Sequence, residues 1–168
     1  NRDRINELNL NKDTTNEINP TILSEVLIEQ SGLKGLFCTN HAQKLSECSY
    51  YIITVPTPVD ADNNPELDAL FSASKTAGKV LKKGDIVIYE STVYPGCTEE
   101  DCIPVLEAES GLKFVDDFKV GYSPERINPG DKEHTITKIL KVVSGCDDES
   151  LDIIAKVYES IVTAGVHR

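Results

Sequence analysis

SYYIITVPTPVDADNNPELDALFSASKTAGKVLKKGDIVIYESTVYPG, residues 49–96, is the stretch whose reading decides the fold. It opens on SYYIITVP (49–56), a strand rich in β-branched and aromatic residues and closed by Pro56. Residues 66–81 follow with helical periodicity, LKKGD makes a turn, and DIVIYES (85–91) is a second strand. Neither strand alternates apolar with polar positions. Continuous apolar strands are covered on both faces, as in parallel sheets, and a helix between two of them supplies the crossover.

The same rhythm extends in both directions. Downstream, Cys97 to Glu109 reads as a helix with acidic residues in its first turn, where the helix dipole favours them. FKVGYS (118–123) and KVVSG (141–145) read as further strands, and Glu149 to Val162 as an amphipathic helix. Upstream, GLFCT (35–39) is a short strand, and a helix follows Pro20, a residue suited to a first helical turn. RDRINEL (2–8) is a short helix with Ile5 and Leu8 on one face, separated from the next by the polar, turn-like 11–19. Strands alternating with helices predict an α/β protein, a mainly parallel sheet with flanking helices. No repeat, low-complexity tract or interdomain linker interrupts it.

Bulk properties narrow the classes. At 168 residues the chain has the size of one domain. Its formal charge of −11 is distributed along the sequence and argues against nucleic acid as a partner. A phosphate-bearing small ligand needs only a few local donors and stays compatible with it. No apolar run reaches membrane-spanning length and no signal-peptide pattern opens the chain, so the reading is a cytoplasmic, globular protein. Five cysteines (Cys38, Cys48, Cys97, Cys102, Cys146) fit neither a CxxC nor a zinc pattern and read as reduced, buried, inert thiols, with no metal expected. The sequence contains no Met, from which a fragment of a longer protein is expected.

In an open parallel sheet, ligands gather beyond the carboxyl ends of the strands. There the chain carries VPTP (55–58), ESTVYPG (90–96), YSPERINPGD (122–131) and SGCDD (144–148). The prolines of VPTP make a stiff corner that presents the Thr57 hydroxyl and a free N–H, or simply a structural turn. Ser91 and Thr92 suit a phosphate, a ribose or a catalytic water, or else cap the coming helix. Glu125 could serve as a general base and Arg126 could pair with a sugar or phosphate oxygen; an exposed surface pair is the plainer alternative. His41, His134 and His167 stand isolated and receive no role.

In this order, VPTP, ESTVYPG and SPERINPGD resemble the UDP-glucose/GDP-mannose dehydrogenase family, nearest the bacterial branch acting on UDP-N-acetyl-D-glucosamine or -mannosamine for capsule and surface polysaccharide biosynthesis. The resemblance runs from NRDRINEL to VYESIVTAGVHR. It implies a Rossmann-like, incomplete NAD-binding domain occupying residues 1–168, whose first glycine-rich βαβ unit is missing and whose central helix and C-terminal UDP-binding domain are absent.

It further implies an oxidoreductase whose cofactor is NAD. Arg4, Val55, Pro56, Thr57, Pro58, Ser91 and Thr92 would line the cofactor site, with Arg4 on the adenosine side. Thr92 would also hold the hydrolytic water, Glu125 would transfer protons during thioester hydrolysis, and Arg126, Ile127 and Asn128 would form part of the substrate loop. The UDP-glucose enzymes carry a second glutamate where this chain has Pro129, which favours an acetamido nucleotide sugar. The family's nucleophilic Cys and its oxyanion-stabilising Lys and Asn fall downstream, so the fragment alone is expected to be inactive. The intact protein is expected to be a homo-oligomer, a dimer, taking a UDP-sugar and neither nucleic acid nor membrane. A β-hydroxyacid-type NAD dehydrogenase and a non-catalytic dinucleotide-binding module are the rivals. The first has no evident need for SPERINPGD, and the second none for Thr92 with Glu125.

Overall fold

The computed structural model describes residues 1–29, 34–126 and 136–168. Two compact units emerge, Asn1–Glu47 and Cys48–Arg168.

The first unit holds two helices. α1 (Arg2–Asn9) starts where the Asn1 side chain accepts from the backbone N–H groups of Asp3 and Arg4. α2 (Pro20–Val26) has Asn19 as its cap, Pro20 in its first turn and a buried Leu23. The strand expected at 35–39 does not form: Leu36 makes a single bridge to Leu27, and residues 37–39 are irregular. A run of three apolar residues (Leu36, Phe37, Cys38) is too short to hold a ladder. A 3₁₀ turn at Ala42–Glu47, unforeseen from the sequence, closes the unit.

The second unit is built on β1 (Tyr50–Ile53), β2 (Ile86–Tyr89) and β3 (Lys119–Tyr122), paired in parallel in that order. α3 (Asp68–Gly78) and α4 (Ile103–Ser110) are the two crossovers. They approach closely at Gly78, where a Cβ would lie 2.8 Å from the Cβ of Glu109. β2 is buried on both faces, as its unbroken apolar run predicted. β1 is buried on one face only: Tyr51 and Ile53 are covered while Tyr50 and Ile52 are exposed, so the same expectation fails for 49–56. Its period of two sends Ile86 and Ile88 into a cluster with Ile154, Ala155 and Tyr158 of α5 (Asp148–Glu159). Tyr89 points the other way and its hydroxyl meets that of Ser74 on α3, 2.7 Å away.

Two expectations are revised here. KVVSG is not one parallel strand but two short ones, β4 (Lys141–Val142) and β5 (Ser144–Gly145). β4 pairs in parallel with β6 (Val166–His167), while β5 runs antiparallel to β3. The chain leaves β3 at its carboxyl end, and an antiparallel strand can begin from that end without a crossover. α5 then lies so close to β3 that a Cβ at Gly121 would stand 2.2 Å from Ile154 Cδ1. The helix expected from Cys97 begins instead with a π-helical turn, Thr98–Cys102, before α4. Pro104 has no N–H to give to the carbonyl of residue 100 and its ring crowds that group, so the turn widens and the Ile103 N–H reaches back to Thr98 O.

α5 is fixed at its start by a capping box: Asp147 accepts from the Ser150 N–H at 2.8 Å and the Ser150 hydroxyl from the Asp147 N–H at 3.1 Å. The Lys119 ammonium, 2.5 Å from Asp147 Oδ2, and then the Ser150 N–H hold this carboxyl down to about 2. A carboxylate depressed in the folded state stabilises the fold above its unfolded value near ~4 and loses that contribution as pH falls towards about 2. Urea midpoints measured between neutral pH and pH ~2 should therefore fall less steeply for Asp147→Asn than for the parent, the difference concentrated below pH ~4.

Candidate functional site

The register of the parallel strands sets the site. Ile53 pairs with Tyr89 and Tyr89 with Tyr122, so all three strands end level. Glu90 N–H to Ile53 O and Ser123 N–H to Tyr89 O, both 2.9 Å, carry the ladder one residue further. The loops that leave from this line share a cavity of about 220 Å³. Thr54, Val55, Pro56 and Thr57 line it after β1, Glu90, Ser91 and Thr92 after β2, and Glu125 after β3.

Two hydroxyls pin the first loop to the second. Thr57 Oγ1 donates to Thr92 O at 2.6 Å, and Ser91 Oγ donates to Val55 O at 2.6 Å. Ser91 therefore does not cap the following helix, whose first turn receives no side-chain cap. The structural-turn reading of VPTP holds, since Thr57 pins the corner, and the same residue lines the cavity. Both pins use carbonyl acceptors. The backbone N–H groups of Thr57 and Thr92 and the exposed Thr92 hydroxyl engage no acceptor among the described residues.

The remaining expected residues fall in four places. Glu125 is exposed, and its Oε1 accepts from the Arg126 N–H at 2.7 Å. Arg126 is exposed and Pro58 lies outside the cavity lining; the Pro58 carbonyl accepts from Glu66 N–H at 2.8 Å and closes the loop before α3. Ile127 and Asn128 lie outside the described residues. Arg4 belongs to the first unit, where it donates to Asp13 Oδ1 at 2.6 Å and Thr15 Oγ1 at 3.3 Å, and stands 3.3 Å from Glu7. The Asp13 carboxylate raises the Arg4 guanidinium above its ordinary value.

Sequence reasoning missed Thr54 and, more importantly, Glu90. Glu90 continues the Ile86–Ile88 row towards α5, where its Oε1 accepts from the Tyr158 hydroxyl. Lys141 of β4, 1% exposed, stands 3.4 Å from Glu90 Oε2, donates to Pro124 O at 3.3 Å, and lies 5.6 Å from the Tyr158 ring centre. Burial first, and then the Glu90 carboxylate, raise the Tyr158 phenol above its ordinary range. The signal was present as two opposite charges standing in otherwise apolar strands.

The cysteines separate. Cys97 and Cys102 are buried, and burial raises both thiols, Cys102 to about 12; the helix start near Cys97 produces no lowered thiol. Burial does not extend to all five as expected, since Cys48 is exposed and Cys38 and Cys146 are half-buried. Among the described residues no group of three or more His, Cys, Asp or Glu is arranged to hold a metal, and no helix is long and apolar enough to cross a membrane.

A dinucleotide suits this position. The cavity lies off the carboxyl ends of parallel strands, where the ligands of such sheets gather, and at about 220 Å³ it takes one ring-sized part of a dinucleotide.

Comparison with known proteins follows the same line. Residues 1–162 match the NAD binding domain of the UDP-glucose/GDP-mannose dehydrogenase family. The chain is 52% identical over its whole length to UDP-N-acetyl-D-glucosamine 6-dehydrogenase of Pseudomonas aeruginosa, and 54% identical to protein CapL of Staphylococcus aureus. It spans 38% of the length of each. Over 99% of the chain it superposes with a TM-score of 0.84 and 27% identity on a crystal structure of NDP-N-acetyl-D-galactosaminuronic acid dehydrogenase from Methanosarcina mazei Go1, covering 35% of that chain.

The two pins make a direct prediction. Thr57→Val and Ser91→Ala should each lower stability to urea by about 1 kcal/mol. Because both hold the same pair of loops, the double variant should depart from the sum, and strict additivity would show that the loops are held independently.

Proposed function

The chain belongs to the UDP-glucose/GDP-mannose dehydrogenase family, and from that premise we propose that it is the cofactor-binding part of a nucleotide-sugar 6-dehydrogenase. The substrate is a UDP-N-acetylhexosamine, whose C6 alcohol the intact protein oxidises to the uronic acid for surface or capsular polysaccharide. The observation that carries this reading is the meeting of the Val55–Thr57, Ser91–Thr92 and Glu125 loops around one cavity at the ends of three parallel strands. The acetamido sugar is supported by Pro129 and by the substrate of the Pseudomonas aeruginosa relative, a UDP-N-acetyl-D-glucosamine 6-dehydrogenase.

Taking a primary alcohol to a carboxylic acid removes four electrons and adds the oxygen of one water. NAD, when bound, accepts two of those electrons with a proton in each of the two oxidations. The chain's residues supply the surroundings. The N–H groups of Thr57 and Thr92, which engage no acceptor among the described residues, offer donors to a polar ligand, and the exposed Thr92 suits the water consumed in the last step. Glu125, on the same cavity, takes a proton from that water. None of the five cysteines lines the cavity, so a covalent thiol partner for the aldehyde is not drawn from these five. We place the intact protein in the cytoplasm as a homodimer, with a UDP-sugar as its partner and with neither nucleic acid nor membrane.

Two results are expected from the full-length protein. Incubated with a panel of UDP-sugars, it should form two NADH per UDP-N-acetylhexosamine consumed; absence of NADH with every UDP-sugar would refute the reading. In Glu125→Gln an initial burst of NADH should persist while steady turnover falls roughly 10²- to 10⁴-fold. Loss of burst and turnover together would remove Glu125 from the hydrolytic step.

A further inference from the structure

A buried ionic node lies immediately beneath the cavity and touches both loops that carry its reactive groups. Glu90 precedes Ser91 and Thr92; Pro124 precedes Glu125. Lys141 reaches between them, 3.4 Å from Glu90 Oε2 and 3.3 Å from Pro124 O, with the Tyr158 ring on its third side. A carboxylate, a carbonyl and an aromatic ring thus surround the ammonium, which accounts for a lysine that is 1% exposed. Tyr158 closes the circuit by donating to the other Glu90 oxygen.

We propose that Glu90, Lys141 and Tyr158 form an anchor that sets Glu125 against the Ser91–Thr92 loop, with Lys141 as the positioning residue. The carbonyl of Pro124 belongs to the planar peptide unit whose nitrogen is that of Glu125. Holding this oxygen fixes the plane from which Glu125 departs, and the proline ring fixes φ one residue earlier. On the other side, Glu90 is set by its N–H bond to Ile53 O at 2.9 Å, so the lysine refers Glu125 to the β1–β2 ladder.

Stability is a poor explanation for such a node. Apolar residues of equal volume generally stabilise a core as well as a buried ion pair does, whereas stranding one charge is strongly destabilising. What the node adds over an apolar cluster is a directed link between two loops.

The role for Glu125 rests on the proposed function, so the experiment on the full-length protein has one arm that does not need turnover. Lys141→Met, Lys141→Arg and Glu90→Gln/Lys141→Met are compared with the parent by hydrogen exchange, melting temperature and kinetics. In Lys141→Met, exchange at the amides of residues 125–126 should accelerate about tenfold or more. Its kcat with a UDP-N-acetylhexosamine should fall about ten- to a hundredfold, with KM for NAD within about twofold. Lys141→Arg, which keeps a cationic donor, should recover part of both. The double variant strands no charge and should regain melting temperature while keeping the kcat and exchange defects, and it carries the comparison if Lys141→Met does not fold.

Unchanged exchange at 125–126, or recovery of kcat along with melting temperature in the double variant, would overturn the anchor. A parent protein that turns over no UDP-sugar would instead refute the proposed function, leaving exchange and melting to decide the anchor alone.

Discussion

Three four-residue strands pair in parallel with Ile53, Tyr89 and Tyr122 at one level, and every feature of the cavity follows from that register. Because strand side chains alternate with a period of two, a slip of one residue would exchange the faces of β2. Ile86, Ile88 and Glu90 would leave α5, and Val87, Tyr89 and Ser91 would replace them. Glu90 could then no longer meet Tyr158 or Lys141, nor Ser91 the carbonyl of Val55. Burial of β2 on both faces makes such a slip costly, since each face carries its own apolar set. β2 places the site accurately because helices cover both of its faces, α5 against Ile86 and Ile88 and α3 against Tyr89.

The sheet and its loops were legible because their signals are local. IVIY has no polar position to offer solvent, the helix between 66 and 81 has its own period, and Pro56 and Pro124 stand shortly beyond β1 and β3. VPTP, ESTV and SPE were placed at strand ends by counting alone, and the cavity joins them there. The misreadings involve longer-range causes. The antiparallel direction of β5 depends on whether the chain crosses the sheet before pairing with β3, and KVVSG says nothing of direction. The π-helical turn answers a clash between Pro104 and a carbonyl one turn earlier, which a helical pattern does not register. GLFCT has strand composition, but it finds only Leu27 to bridge.

Glu90 and Lys141 show a subtler limit. Each was visible as a charge in an apolar strand, yet 51 residues separate them and only the fold makes them a pair. Read singly, a charge at a strand end belongs to solvent, as most do. Paired, the two charges connect two loops instead of facing water. It also explains why β4 exists as a strand separate from β5: Lys141 must enter beneath the cavity, while Ser144 and Gly145 turn to the edge of β3.

Charge raises a last question, since the chain carries −11 and NAD and nucleotide sugars are anions. The buried lysine does not resolve it, because Glu90 neutralises the node within 3.4 Å. Backbone dipoles offer a route that net charge does not oppose at short range. The Thr57 and Ser91 hydroxyls satisfy carbonyl oxygens, so the pins consume acceptors and leave the N–H groups of Thr57 and Thr92 unengaged within the described residues. Cross-linking through carbonyls therefore rigidifies the loops and biases the polarity of what they offer at once. Fixed donors need no reorganisation when an electron-rich group arrives, and a few of them suffice where a basic surface is lacking. An acidic protein that handles anionic ligands needs its selectivity built into loop backbone, and the proline-bounded corners at these strand ends provide the stiffness for it.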